Sequence, residues 1–123
     1  MNERINLVGC GGALGAILRY GLGLLPMRTS FPFMTMLINI LGALCIGMII
    51  AYAQETKAQP DIILFIKTGF CGGFTTFSTF SLETVQLFET QRYLSGSIYA
   101  CGSLLFCILA VLLGRWLMLL FLS

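Results

Sequence analysis

Residues 75–84 carry six hydroxyl side chains, and Phe77 and Phe80 are set among them. The edge of an aromatic ring is the positive part of its quadrupole, and a hydroxyl can donate a hydrogen bond. Ring edges from Phe77 and Phe80, with the hydroxyls of Thr76, Ser78, Thr79 and Ser81, make a lining suited to an anion without any full positive charge. Other parts of the chain supply matching groups. Asn39 stands inside an apolar run, with Thr35 one turn earlier. A buried Asn needs a partner, so it either closes a helix–helix hydrogen bond or donates to a passing ion. Tyr99, Ser103 and Cys107 stand at i, i+4 and i+8, a single helical stripe of O–H, O–H and S–H donors. Arg19 lies within the first apolar run, where it either snorkels to the interface or draws anions to a pore mouth. Glu83 is the only acid deep in an apolar run, placed to pair with a cation or to line a vestibule.

Other chemistry is excluded by what the chain lacks. It has no His, and its five acids, Glu3, Glu55, Asp61, Glu83 and Glu89, are scattered. Its five Cys are odd in number and form no C-x-x-C pair, so they read as small hydrophobes rather than as a disulfide or zinc framework. No nucleophile–base pair, phosphate loop or metal-ligand cluster is present, and an enzyme is not expected. A net charge of +2 is too weak to predict a nucleic-acid partner.

The elements that must position these residues are membrane spans. Of 123 residues, 58% are hydrophobic and 10% charged, with a mean hydropathy of +0.94. An ordinary soluble domain is about a quarter charged, so membrane lipid is the expected solvent. A spanning helix takes about 20 apolar residues, which predicts four spans over about 5–25, 33–53, 62–90 and 95–121 in one all-α domain covering residues 1–123. No cleavable leader is expected, since the first apolar run continues through Gly11 and Gly12 to Arg19. Pro26 and Pro32 bracket the first loop. The second loop holds Glu55, Lys57, Pro60 and Asp61, and the third turns around Glu89, Gln91 and Arg92. The third span joins Gly72-Gly73 to Thr75-Thr76, a poor helix, and a break is expected over Gly72–Thr76. Non-helical backbone at membrane depth persists only where protein or water covers it. Phe70, Phe74, Phe77 and Phe80 share a face as far as the helix persists.

The basic residues divide almost evenly between the two sides. With four spans, Arg4, Lys57, Lys67 and Arg115 lie toward one side and Arg19, Arg28 and Arg92 toward the other. The positive-inside rule needs a clear imbalance to fix orientation. Dual topology is therefore expected, with two opposed copies pairing about an axis in the membrane plane. The alternative is a weakly biased single topology. Gly11-x-x-x-Gly15, Gly12-x-x-x-Ala16, Ala43-x-x-x-Gly47 and Gly69-x-x-x-Gly73 suit close helix packing.

Three segments resemble the small fluoride channels called Fluc or CrcB. Residues 11–20, from Gly11 to Tyr20, resemble that family's first-helix signature. Asn39-Ile40-Leu41-Gly42 resembles its second-helix motif, and residues 69–81 resemble its broken third helix almost residue for residue. The resemblance spans nearly the whole chain, the fourth helix least distinctively. It implies an antiparallel, dual-topology homodimer with two fluoride pores, in which Phe77 and Phe80 line the pore and Asn39 donates to the ion. Tyr99 and Ser103 would continue the polar track, with Cys107 where a hydroxyl is common. The break would expose the carbonyls of Gly72 and Thr75 to a structural, untransported Na⁺ on the dimer axis. The implied role is passive fluoride exit from the cytoplasm across a bacterial inner membrane. The rival is a small dual-topology cation or guanidinium exporter. That class needs an acid in its first helix, and Gly9 to Leu18 contains none.

Overall fold

The computed structural model describes residues 2–123, and these are helical apart from short connections. The helices are α1 (Asn2–Gly23), α2 (Phe33–Glu55), α3 (residues 60–74), α4 (Phe77–Glu89) and α5 (Tyr93–Leu122). Helix α3 opens with an α-helical turn, Pro60–Ile63, widens into a π-helix over Leu64–Cys71 and ends in the turn Gly72–Phe74. With α3 and α4 taken together as Pro60–Glu89, four segments are long and apolar enough to cross a membrane. Pro60 starts α3 at a position whose N–H would have no helical partner. Between α4 and α5 the chain reverses through Gln91 at φ 61°, where the Arg92 N–H donates to the Leu87 carbonyl at 2.8 Å.

Close glycine contacts hold the helices in pairs. On α1, a Cβ at Gly11 would sit 2.6 Å from the Phe65 carbonyl oxygen and 2.9 Å from the Phe70 nitrogen. A Cβ at Gly15 would meet the backbone of Phe70, Gly73 and Phe74. The Gly11/Gly15 and Gly69/Gly73 stripes are therefore the two halves of one interface, α1 on α3. Helix α2 pairs likewise with α5: a Cβ on Gly47 would stand 3.0 Å from the Val111 Cα, and one on Gly114 3.1 Å from the Met48 nitrogen. Lipid chains are as apolar as leucine, so helices associate in a membrane mainly by this kind of van der Waals packing.

The break is narrower than the sequence predicts. Only Thr75 (φ −85°, ψ 158°) and Thr76 (φ −148°, ψ 118°) are extended, and Gly72 to Phe74 remain helical. Gly73 stays helical because its missing side chain lets it lie on Gly12, where a Cβ would come 2.9 Å from two backbone carbons. The two β-branched threonines leave the helix instead. The π-helical turn before the break has no counterpart in the sequence reading. The phenylalanines do not form one stripe either. Phe70 and Phe74 stack on α3 with centroids 5.7 Å apart, and Phe77 and Phe80 form a separate tilted pair on α4 at 5.5 Å.

Candidate ion-conducting site

The site is built around the two extended residues. Asn39, from the second turn of α2, grips Thr76 twice: its Nδ2 donates to the Thr76 carbonyl at 3.1 Å, and its Oδ1 accepts the Thr76 N–H at 2.8 Å. One side-chain amide thus satisfies both backbone groups of a residue outside any helix. A buried backbone group left unpaired in a membrane costs several kcal/mol. Thr76 in turn caps α4, its Oγ1 accepting the Thr79 N–H at 3.2 Å. At the end of α3 the Cys71 carbonyl accepts both the Thr75 N–H at 3.0 Å and the Thr75 hydroxyl at 2.8 Å. Arg19 reaches across from α1 to donate from Nε to the Gly73 carbonyl at 3.1 Å. It therefore serves the break rather than only snorkelling away from it.

Two cavities meet at this point. The smaller, of 300 Å³, is lined by Asn39, Thr76, Phe77, Phe80, Ser103 and Cys107 among others, and no acid contributes to its wall. The larger, of 940 Å³, is lined by Arg19, Thr35, Thr79, Glu83 and Arg92 among others. Thr76 belongs to both walls. At the edge of the larger cavity Arg92 donates to the Ser30 hydroxyl.

The structure divides the predicted site residues into groups. Asn39, Phe77, Phe80 and Ser103 share the smaller cavity, and Arg19, Thr79 and Glu83 share the larger. Ser78 lines neither; it is exposed on α4, its hydroxyl 3.4 Å from that of Thr76. Tyr99 is fully buried and lines neither cavity. Its hydroxyl donates to Glu83 Oε1 at 2.9 Å, and the Thr35 hydroxyl donates to Oε2 at 3.1 Å. Glu83 thus holds two hydroxyl donors rather than a cation; among the described residues the only ion pair is Arg4–Asp61 at 3.3 Å. Phe80 is buried against Tyr99 with centroids 5.2 Å apart, whereas Phe77 is 73% exposed. Ser103 is 4% exposed, and its hydroxyl has no hydrogen-bond partner. Buried polar atoms are almost always paired, and among the described residues this hydroxyl, on a residue that lines the smaller cavity, is the buried side-chain polar atom without a partner in the protein.

Sequence reasoning named Thr35 and Thr76 among the polar groups but assigned neither a partner; the structure gives Thr35 to Glu83 and Thr76 to Asn39. Thr35 precedes Asn39 by one turn and so faces the same neighbour, the signal that placed it within reach of Glu83. Thr76 was legible as one hydroxyl of the Phe77–Phe80 segment and as part of the expected break, but not as the residue that Asn39 holds.

Comparison with known proteins bears on the same residues. Residues 6–115 match the family model described as "CrcB-like protein, Camphor Resistance (CrcB)". The chain is similar to proteins named "Fluoride-specific ion channel FluC" from several bacteria. It is 40% identical to that of Nitratidesulfovibrio vulgaris over 116 residues, covering 91% of this chain and 94% of the relative. It is 42% identical to that of Phocaeicola vulgatus over 113 residues, covering 89% and 93%. With the relative from Ruminiclostridium cellulolyticum the identity is 44% over 123 residues, covering 95% of each.

Proposed function

The chain belongs to the CrcB family, and from that premise we propose that it is a multi-pass membrane channel through which fluoride leaves the cytoplasm passively. It is a channel and not an enzyme. The observation that carries the reading is the unpartnered Ser103 hydroxyl on a cavity walled by Phe77, Phe80 and Asn39 and free of acids. Fluoride is small and strongly hydrated, so a path through a membrane must offer donors in place of water. Ser103 offers its O–H. Asn39 offers the second N–H of its amide, the first being held by Thr76. The rings of Phe77 and Phe80 supply the remaining wall. The larger cavity is this path's outer vestibule, where Arg19 and Arg92 bring positive charge to an anion's entry, and Thr35 and Tyr99 soften the charge of Glu83 by donating to it. The exporter alternative loses its support, because α1 offers no acid from Gly9 to Leu18.

The assembly proposed is an antiparallel, dual-topology homodimer in a bacterial inner membrane. The near-even charge tally supports it, and so does Phe77, a pore candidate left 73% exposed on one copy. A structural Na⁺ fits the break. In a continuous helix the Thr76 N–H would bond the Gly72 carbonyl, but it donates to Asn39; the Thr79 N–H would bond the Thr75 carbonyl, but it donates to the Thr76 hydroxyl. Both carbonyls thus lose their usual partners, and the space around Gly72 is open, with nothing within 4 Å of where a Cβ would stand. Hard oxygen donors of this kind suit a hard cation. Gly72 and Thr75 of two copies would hold the ion, and Na⁺ would supply positive charge to offset the four converging carbonyls.

Vesicles reconstituted with pure protein and loaded with equal fluoride and chloride should release fluoride far faster. Comparable chloride loss would overturn the selectivity, and proton-driven cation uptake would favour the exporter. Fluoride flux should be indifferent to a Na⁺ gradient yet disappear after exhaustive Na⁺ removal. Full flux in Na⁺-free buffer, or Na⁺ movement coupled to fluoride, would remove the ion from Gly72 and Thr75.

A further inference from the structure

Four aromatic rings run in successive contact from one cavity to the other. Phe31, in the connection between α1 and α2, lines the larger cavity, and Phe77 and Phe80, on α4, line the smaller. Tyr99, on α5, lies between them and is fully buried. The centroids are 5.5 Å apart from Phe31 to Tyr99, 5.2 Å from Tyr99 to Phe80 and 5.5 Å from Phe80 to Phe77. The first pair meets edge-on, with an interplanar angle of 86°, an arrangement that aromatic quadrupoles favour. Phe31 is the one ring of the four that comes from a loop, yet its backbone is fixed. Its N–H donates to Thr29 Oγ1 at 3.2 Å, its carbonyl accepts the Phe33 N–H at 2.8 Å, and Pro32 follows it. Its side chain is half-buried against the cluster of Phe80, Leu87 and Tyr99.

Tyr99 performs two tasks that need a single placement of one side chain. Its ring backs Phe80, and its hydroxyl donates to Glu83 Oε1 at 2.9 Å. We propose that Phe31 is a positioning residue for conduction, holding Tyr99 in that placement from outside the ion's path. The inference rests on the channel reading. Because Phe31 forms part of the larger cavity's wall, removing its ring opens space beside Tyr99 on that side. A Tyr99 that turns into this space takes its hydroxyl away from Glu83, whose carboxylate then keeps only the Thr35 donor. The vestibule becomes more negative where an anion enters, and Phe80 loses the ring behind it. Phe31 acts on both cavities in this way without touching fluoride. The edge-on contact requires a ring, so apolar bulk alone does not replace it.

The test measures fluoride efflux from vesicles holding the full chain with Phe31→Leu or Phe31→Tyr, each shown by size-exclusion chromatography to keep the assembly of the unsubstituted protein. Phe31→Tyr retains the ring and should keep most of the efflux. Phe31→Leu retains apolar bulk without the ring and should lose about fivefold, the population factor that one aromatic pair supplies. Tyr99→Leu removes the side chain through which Phe31 acts, so adding Phe31→Leu to it should cost no further flux. Full efflux with Phe31→Leu, equal loss in the Leu and Tyr variants, or a further fivefold loss in the Tyr99→Leu background would overturn the positioning role. If Tyr99→Leu does not assemble or conduct, the contrast between Phe31→Leu and Phe31→Tyr decides. Unsubstituted protein that releases no fluoride selectively would overturn the channel reading instead.

Discussion

Phe80→Ile reduces fluoride efflux by at least about tenfold, the factor that corresponds to about 1.4 kcal/mol on the barrier, while the protein still assembles. Isoleucine keeps apolar bulk but has no ring and therefore no positive edge to offer an anion. Phe80 is the more decisive of the two rings because it is buried in the cavity wall and fixed against Tyr99 at 5.2 Å. Tyr99 is itself anchored through its hydroxyl to Glu83, so the ring is held in place from behind. The substitution removes part of that packing and costs about 1–3 kcal/mol of stability. Flux therefore has to be measured on vesicles whose protein is shown by size-exclusion chromatography to retain its native assembly. Unchanged flux in such a sample would make Phe80 a packing residue. Phe77→Ile should act in the same direction with a smaller effect, because that ring contacts Phe80 at 5.5 Å but lacks the Tyr99 backing that fixes Phe80.

Asn39→Asp abolishes flux and lowers the melting temperature together. Oδ1 can still accept the Thr76 N–H, but the second carboxylate oxygen then faces the Thr76 carbonyl, where Nδ2 had donated at 3.1 Å. Leaving that carbonyl unsatisfied costs about 1–3 kcal/mol, and the repulsion between the two oxygens adds to it. The new negative charge also lies on the wall of a cavity that has no other acid. Thermal unfolding in detergent and fluoride efflux should fall in the same variant. Native stability with full efflux would show that neither the grip on Thr76 nor the donor at Asn39 matters.

The parts of this architecture governed by periodicity and composition were legible in the sequence. The four apolar stretches, the prolines at loop edges and the small-residue stripes follow from lipid as solvent and from close helix packing. The pairing of Gly11 and Gly15 with Gly69 and Gly73 could be anticipated as packing faces, but not as partners of one another, because spacing does not say which helix lies opposite. The limits of the break could not be read either. Gly72-Gly73 has low helix propensity, yet contact with Gly12 keeps Gly73 helical, an effect of a neighbour distant in sequence. Asn39 left two readings open, and the structure shows its amide holding the extended backbone of Thr76, with one N–H of the amide left over. Tyr99 and Ser103 lie on one stripe, as their spacing requires, but tertiary contacts give them different roles: one hydroxyl is bound to Glu83, the other is free.

The interruption at Thr75–Thr76 also sets the electrostatics of the membrane interior. Peptide dipoles add along a helix, giving partial negative charge at its C-terminus and partial positive charge at its N-terminus. Helix α3 ends and α4 begins with only two residues between them, so both kinds of pole lie at one depth. The α3 end presents carbonyls and favours a cation; the α4 start presents N–H groups beside Phe77 and favours an anion. One short loss of helix thus produces two adjacent fields of opposite sign from the backbone alone, the α3 pole being the one that Arg19 meets at the Gly73 carbonyl. A substitution that restored a continuous helix through residues 75 and 76 would cancel both poles at once, even if every side chain of the cavity were kept.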